Sequence, residues 1–127
     1  MANCYILSNN PLASQKYGSL VKVQKTDVMG IYTAARDAIH LGAVLINHPL
    51  SGSVKPNESP YRSLVLSTRQ AEVDEKSLQL IEGAIAVLKK LGIKEREYPE
   101  TVLDDFQVID LDLLDSAMGA LPAEYHT

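Results

Sequence analysis

Apolar and polar positions along the chain fall into short blocks. Cys4–Leu7 is a continuous apolar run, which predicts a short buried strand closed by the turn signal Ser8-Asn9-Asn10-Pro11. Leu12–Gly18 is polar and has no decisive period. In Ser19–Lys25, Val21 and Val23 share one face and Lys22 and Gln24 the other, which predicts a second, half-exposed strand. A helical period follows: Thr26 or Asp27 is placed to cap, and Val28, Ile31, Tyr32, Ala35 and Ile39 form one stripe. Gly42 stands where a left-handed stop belongs. Ala43–Ile46 and Ser63–Ser67 predict a third and a fourth strand. Asp74 then caps a helix whose stripe is Leu78, Ile81, Ile85 and Leu88, ended by Gly92. Gly83 inside it costs ~1 kcal/mol relative to alanine, a cost explained if the helix lies close to the sheet there. Phe106–Ile109 predicts a fifth strand, and Asp110 or Asp112 caps a short last helix over Leu113–Leu121.

Strands separated by helices argue for one α/β layered domain. The expectation is a mainly parallel sheet of about four or five strands flanked by about three helices, with a long ordered loop after the third strand. The connection from the third strand to the fourth has two readings, a long hairpin tip or a crossing over the sheet edge. The length of 127 residues fits one domain with a core.

The chain is organised around the loop from Asn47 to Ser63. It holds three of the six prolines, which stiffen it. Long ordered loops are commonly functional. Polar groups gather where an α/β sheet presents its carboxyl ends: Asn9-Asn10 after the first strand, Asn47-His48 after the third, Ser67-Thr68-Arg69 after the fourth. Ser51-Gly52-Ser53 offers consecutive N–H groups and two hydroxyls to an anion, and Lys55 and Arg62 add positive charge. The candidate anion or ligand site is therefore Asn9, Asn10, His48, Ser51, Gly52, Ser53, Lys55, Asn57 and Arg62. Each has a plainer role beside it. Ser-Gly-Ser is a common turn, Asn57 after Pro56 suits an Asn-capped turn, and His48 before Pro49 suits a hydrogen bond within the loop. No catalytic residue is assigned. His48 is the one candidate acid–base group, and Ser51 or Ser53 with His48 and Glu58 lacks a nucleophile-elbow pattern.

Composition narrows the partners. A net charge of −4 gives no basic footprint, which speaks against nucleic acid and anionic membrane surfaces. No apolar run reaches the ~18 residues of a membrane span, and no signal-peptide pattern is visible, so the expectation is a cytoplasmic protein. Cys4 has no second cysteine to pair with and reads as a buried thiol. His40, His48 and His126 show no ligand spacing, so no metal and no cofactor is expected. The acidic residues from Asp104 to Asp115 read as caps and exposed charge. The loop prolines and Tyr61 would also fit a homodimer contact.

Asn9-Asn10-Pro11-Leu12, Arg36–Gly42 and above all His48–Ser63 (His-Pro-Leu-Ser-Gly-Ser-Val-Lys-Pro-Asn-Glu-Ser-Pro-Tyr-Arg-Ser) resemble the GrdX family over roughly the first seventy residues. That family is encoded beside the glycine, sarcosine and betaine reductase genes of amino-acid-fermenting anaerobes. The resemblance implies an accessory or binding role around those reductases, with reductase-complex proteins as partners and no assigned reaction. A small enzyme acting on a phosphorylated or carboxylated metabolite through the 47–63 loop is the alternative. The lone cysteine lies outside any redox motif, so the chain does not itself transfer electrons.

Overall fold

The computed structural model describes residues 3–51, 57–68, 72–92 and 97–125. Strand β1 (Cys4–Ser8) is the centre of a three-stranded sheet. On one side β2 (Val21–Val23) runs parallel to it, with Ile6 opposite Val21. On the other, β3 (Ser63–Ser67) runs antiparallel, with Ser8 opposite Ser63 and Cys4 opposite Ser67. Successive strand residues face opposite sides of a sheet, and here both sides are covered. Leu7, Leu64 and Leu66 pack against α2 (Val28–His40) and α3 (Glu75–Leu91). Cys4, Ile6 and Val65 pack on the other face, with Ala13 of α1 (Pro11–Tyr17) and Leu114 of α4 (Glu100–Gly119). The result is three layers, helices on both faces of the sheet.

Side chains set the helix starts. Asn10 Oδ1 accepts from Leu12 N, and Pro11 occupies the first turn of α1, where its missing N–H costs nothing. Asp27 accepts from Gly30 N at the head of α2. Asp74 Oδ2 accepts from both Ser77 N and Ser77 Oγ at the head of α3. The stripe predicted for α2 is the one buried, and Gly42 takes the expected positive φ of 102°.

Several expectations are corrected. The sheet is mixed, with three strands, and the α/β layers hold four helices. Ala43–Ile46 makes no ladder. It lies antiparallel beside β3 with a single bridge, Leu45 to Leu66. Ile46 N donates to Val65 O and Ser67 N to Val44 O, both at 2.8 Å. The other groups that a strand would pair are taken by side chains. Val44 N donates to Ser67 Oγ, Leu45 N to Ser77 Oγ, and Val65 N to Asn47 Oδ1. Such side-chain bonds compete with a regular ladder. This antiparallel course makes the connection to β3 a hairpin-like return.

The undecided segment Leu12–Gly18 forms helix α1 up to Tyr17, with Gly18 as its C-cap. The predicted fifth strand and short last helix merge into α4. Its inward face carries Leu103, Gln107, Asp110, Leu111, Leu114 and Met118, a helical period hidden by two polar members. Gly83 is exposed, and a Cβ there would meet no atom within 4 Å. No close approach to the sheet requires it.

Candidate functional site

The antiparallel run of β3 decides which loops meet. The carboxyl end of β1, the start of β3 and the end of the 43–47 run lie at one edge of the sheet. Asn9, Asn10, Asn47, His48, Arg62 and Ser63 therefore converge there. Ser67 and Thr68 lie at the opposite edge, where Thr68 N donates to Asn3 O, so the fourth strand's carboxyl end does not join them. Arg69 is outside the described residues.

Three asparagines assemble this edge. Asn9 Nδ2 donates to Thr26 O and Pro60 O, both at 2.8 Å, while its Oδ1 accepts from Arg62 N at 2.9 Å. It fastens the returning loop to the segment before α2. Asn47 clasps β3: Oδ1 accepts from Val65 N at 2.8 Å and Nδ2 donates to Ser63 O at 3.2 Å. Asn10, buried, adds to its cap two bonds from Nδ2, to Gln107 O and to Asp110 Oδ2, both 2.9 Å.

Asp110 is the terminus of a directed chain of donors. Asn10 N donates to Ser8 Oγ. Ser63 Oγ donates to Asp110 Oδ2 at 2.7 Å, which uses its hydrogen, so in the 2.7 Å contact between Ser8 and Ser63 the donor is Ser8. Every hydrogen in the chain is thus oriented toward the carboxylate. Oδ2 accepts from Ser63 and Asn10, and Oδ1 accepts nothing among the described residues. Asp110 is 6% exposed and Arg62 8%.

Both charged residues line a cleft of about 390 Å³. Asn47, His48, Ser51 and Ser63 complete its polar wall, and Ile46, Leu113, Ala117 and Pro122 supply apolar surface. The guanidinium of Arg62 lies 5.8 Å from the Tyr32 ring centroid. Burial raises the Tyr32 phenol above its ordinary value, and Arg62 partly opposes that. Tyr32 OH donates to the carbonyl of the fully buried Pro49 at 2.7 Å, anchoring the floor of the turn.

His48 is held in one orientation. Leu50 N donates to its Nδ1 at 3.0 Å, which places the hydrogen of the neutral ring on Nε2. Its carbonyl accepts from Ser51 N and Ser51 Oγ. A triad base needs the reverse arrangement, Nδ1–H to an acid and Nε2 free to accept.

The remaining predicted residues disperse. Asn9 and Asn10 line a separate groove with Thr26, Pro60 and Tyr61. Asn57 Nδ2 donates to Gly92 O at 3.0 Å and so ties the loop to the end of α3. Gly52, Ser53 and Lys55 lie outside the described residues. Sequence reasoning missed Asp110, Ser63 and the α4 wall. The one available signal was Asp110 standing at helical spacing among apolar residues. Among the described residues no three His, Cys, Asp or Glu side chains cluster as metal ligands, and no helix is long and apolar enough to cross a membrane.

Residues 5–119 match the protein-family model described as GrdX-like protein. No curated protein and no solved structure matches the chain.

Proposed function

The chain belongs to the GrdX-like family, and from that premise we propose that it is a non-catalytic binding protein accessory to the glycine, sarcosine or betaine reductase system. Its cleft holds a small carboxylated metabolite. The family's name supports the reductase association. The observation that carries the binding role is the buried Arg62 in the wall of the cleft, its backbone fixed by Asn9. A guanidinium matches a carboxylate through paired N–H donors. His48 Nε2–H and the neighbouring polar groups add neutral donors to the same wall.

The hydroxyls speak against hydrolysis. Ser51 donates to the His48 carbonyl and Ser63 to Asp110. Among the described residues no serine hydroxyl is bonded to an imidazole nitrogen. Among them, therefore, no serine has the imidazole base of a hydrolytic triad.

The test is an NMR titration of the labelled protein with acetate, propionate, phosphate and acetyl phosphate. Carboxylates are expected to shift the amides of residues 46–51, 62–63 and 110–117. Arg62→Ala should weaken binding about ten-fold or more, the usual effect of losing a charged hydrogen-bond partner. Absence of any shift with all four compounds sinks the binding role. The reductase association is tested by recovering the tagged protein from cells grown on glycine. Failure to co-purify a reductase component, together with unchanged reductase activity on deletion, would remove it.

A further inference from the structure

We infer that the cleft binds a small protonated primary amine, which donates its N–H groups to Oδ1 of Asp110. The contact is made by Asp110 and the end of α4, and it is independent of Arg62 and of the carboxylate reading above.

Asp110 is 6% exposed, yet its carboxylate has no counter-ion among the described residues. The ion pairs there join Lys16 to Asp115 and Arg36 to Glu82. Arg62 is not its partner either, since the guanidinium lies against the Tyr32 ring, within the core that α2 and α3 form on the other face of the sheet. Buried charges are ordinarily paired, because an uncompensated one is costly in a low dielectric. Oδ2 is occupied by Asn10 Nδ2 and Ser63 Oγ, which fix the carboxylate's orientation. Oδ1 accepts nothing among the described residues and is not sealed from solvent. The open surface that Asp110 lines is the cleft.

The surroundings favour a cation. Ala117 and Ala120 bring the C-terminal end of α4 to the same cleft, and the last turn of that helix carries no basic side chain. A helix C-terminus bears partial negative charge and favours positive groups. The hydrogens of Ser8 and Ser63 run toward Asp110, so neither hydroxyl competes as a donor in the cleft. Among the described residues no aromatic ring lines the cleft, so a quaternary ammonium finds no aromatic cage there. Hydrogen bonding to Oδ1 calls for N–H donors instead. Ile46 and Leu113 offer apolar surface to a short alkyl chain.

The experiment titrates the labelled protein by NMR at neutral pH and constant ionic strength with propylamine, tetramethylammonium, 1-propanol and potassium chloride, then repeats the series on Asp110→Asn. Propylamine is expected to shift the amides around 110–120 and to bind about ten-fold or more tightly than the other three, which lack either the N–H donors or the charge. The asparagine keeps an oxygen for Ser63 and Asn10 but removes the charge, and should abolish that preference. No propylamine binding overturns the inference, as does tetramethylammonium or potassium matching it, which marks unspecific cation attraction. An unchanged preference in a folded Asp110→Asn protein overturns it too. Should that variant fail to fold, the series on the unaltered protein still decides. Acetate and propionate report separately: their failure beside a positive amine result removes the carboxylate reading alone, and the reverse pattern removes the amine alone.

Discussion

Asn10 and Asp110 lie one hundred residues apart and meet through a buried 2.9 Å hydrogen bond. The same asparagine caps α1 through Oδ1 and reaches the Gln107 carbonyl through Nδ2. One side chain therefore starts a helix, joins the two ends of the chain and orients the carboxylate of the cleft.

Asn10→Ala should cost both functions. Loss of an N-cap costs about 1 kcal/mol, and leaving a buried charged acceptor short of a donor about 1–3 kcal/mol. Urea unfolding should show a deficit of about 2–4 kcal/mol. Asn10→Asp keeps a capping oxygen but sets a second carboxylate beside Asp110, and should be no more stable than the alanine variant at neutral pH. A deficit below about 0.5 kcal/mol for Asn10→Ala would show the link to be incidental.

Gly83 offers the opposite case. It lies in the interior of α3, exposed, with open space where a Cβ would stand. Gly83→Ala should raise stability by about 1 kcal/mol, measured as a later urea midpoint at unchanged slope.

The α3 cap should impose a pH dependence. Hydrogen bonds from the Ser77 side chain, then from its backbone, hold the Asp74 carboxyl below its ordinary value of 3.8. A depressed acid contributes stability that is present above its unfolded value and is lost as pH falls through its folded one. The gap between the unaltered protein and Asp74→Ala should be about 1 kcal/mol near neutrality. It should shrink on acidification below 3.8. A gap independent of pH down to full acid unfolding would contradict the assignment.

Tyr17 titrates in the other direction. Burial, with its 2.5 Å bond to Asp115 Oδ1, pushes its phenol up to about 12. Lys16 and Tyr17 in turn hold the Asp115 carboxyl below its usual range. A raised phenol contributes stability fully present below its unfolded value near 10 and lost as pH rises through about 12. Tyrosine-labelled NMR should show one ring ionising near pH 12 that is missing in Tyr17→Phe.

Much of this structure was readable from residue order, and the exceptions share a cause. The helices α2 and α3 declare themselves because cap and apolar stripe agree. Strand logic points to the ends of β1 and of the 43–47 run as polar corners; Asn47 and His48 line the cleft, whereas Asn9 and Asn10 line a separate groove. The Ser67 end was misplaced because nothing local reveals that β3 runs antiparallel. Helix α1 buries only Ala13 and is held by Asn10 and by packing on α4, so it has little period of its own. In α4 the buried Asp110 breaks the apolar stripe, and its reason for being buried lies in Ser63 and Asn10.

The Asn47 clasp fixes more than geometry. One amide holds Ser63 O and Val65 N together, so it measures the chain as well as fastening it. A single residue inserted between Ile46 and Asn47 would carry that amide past both partners and release the cleft wall from β3. Changes of length within this family should therefore spare that junction, and a deletion scan across residues 43–51 should find its sharpest intolerance there.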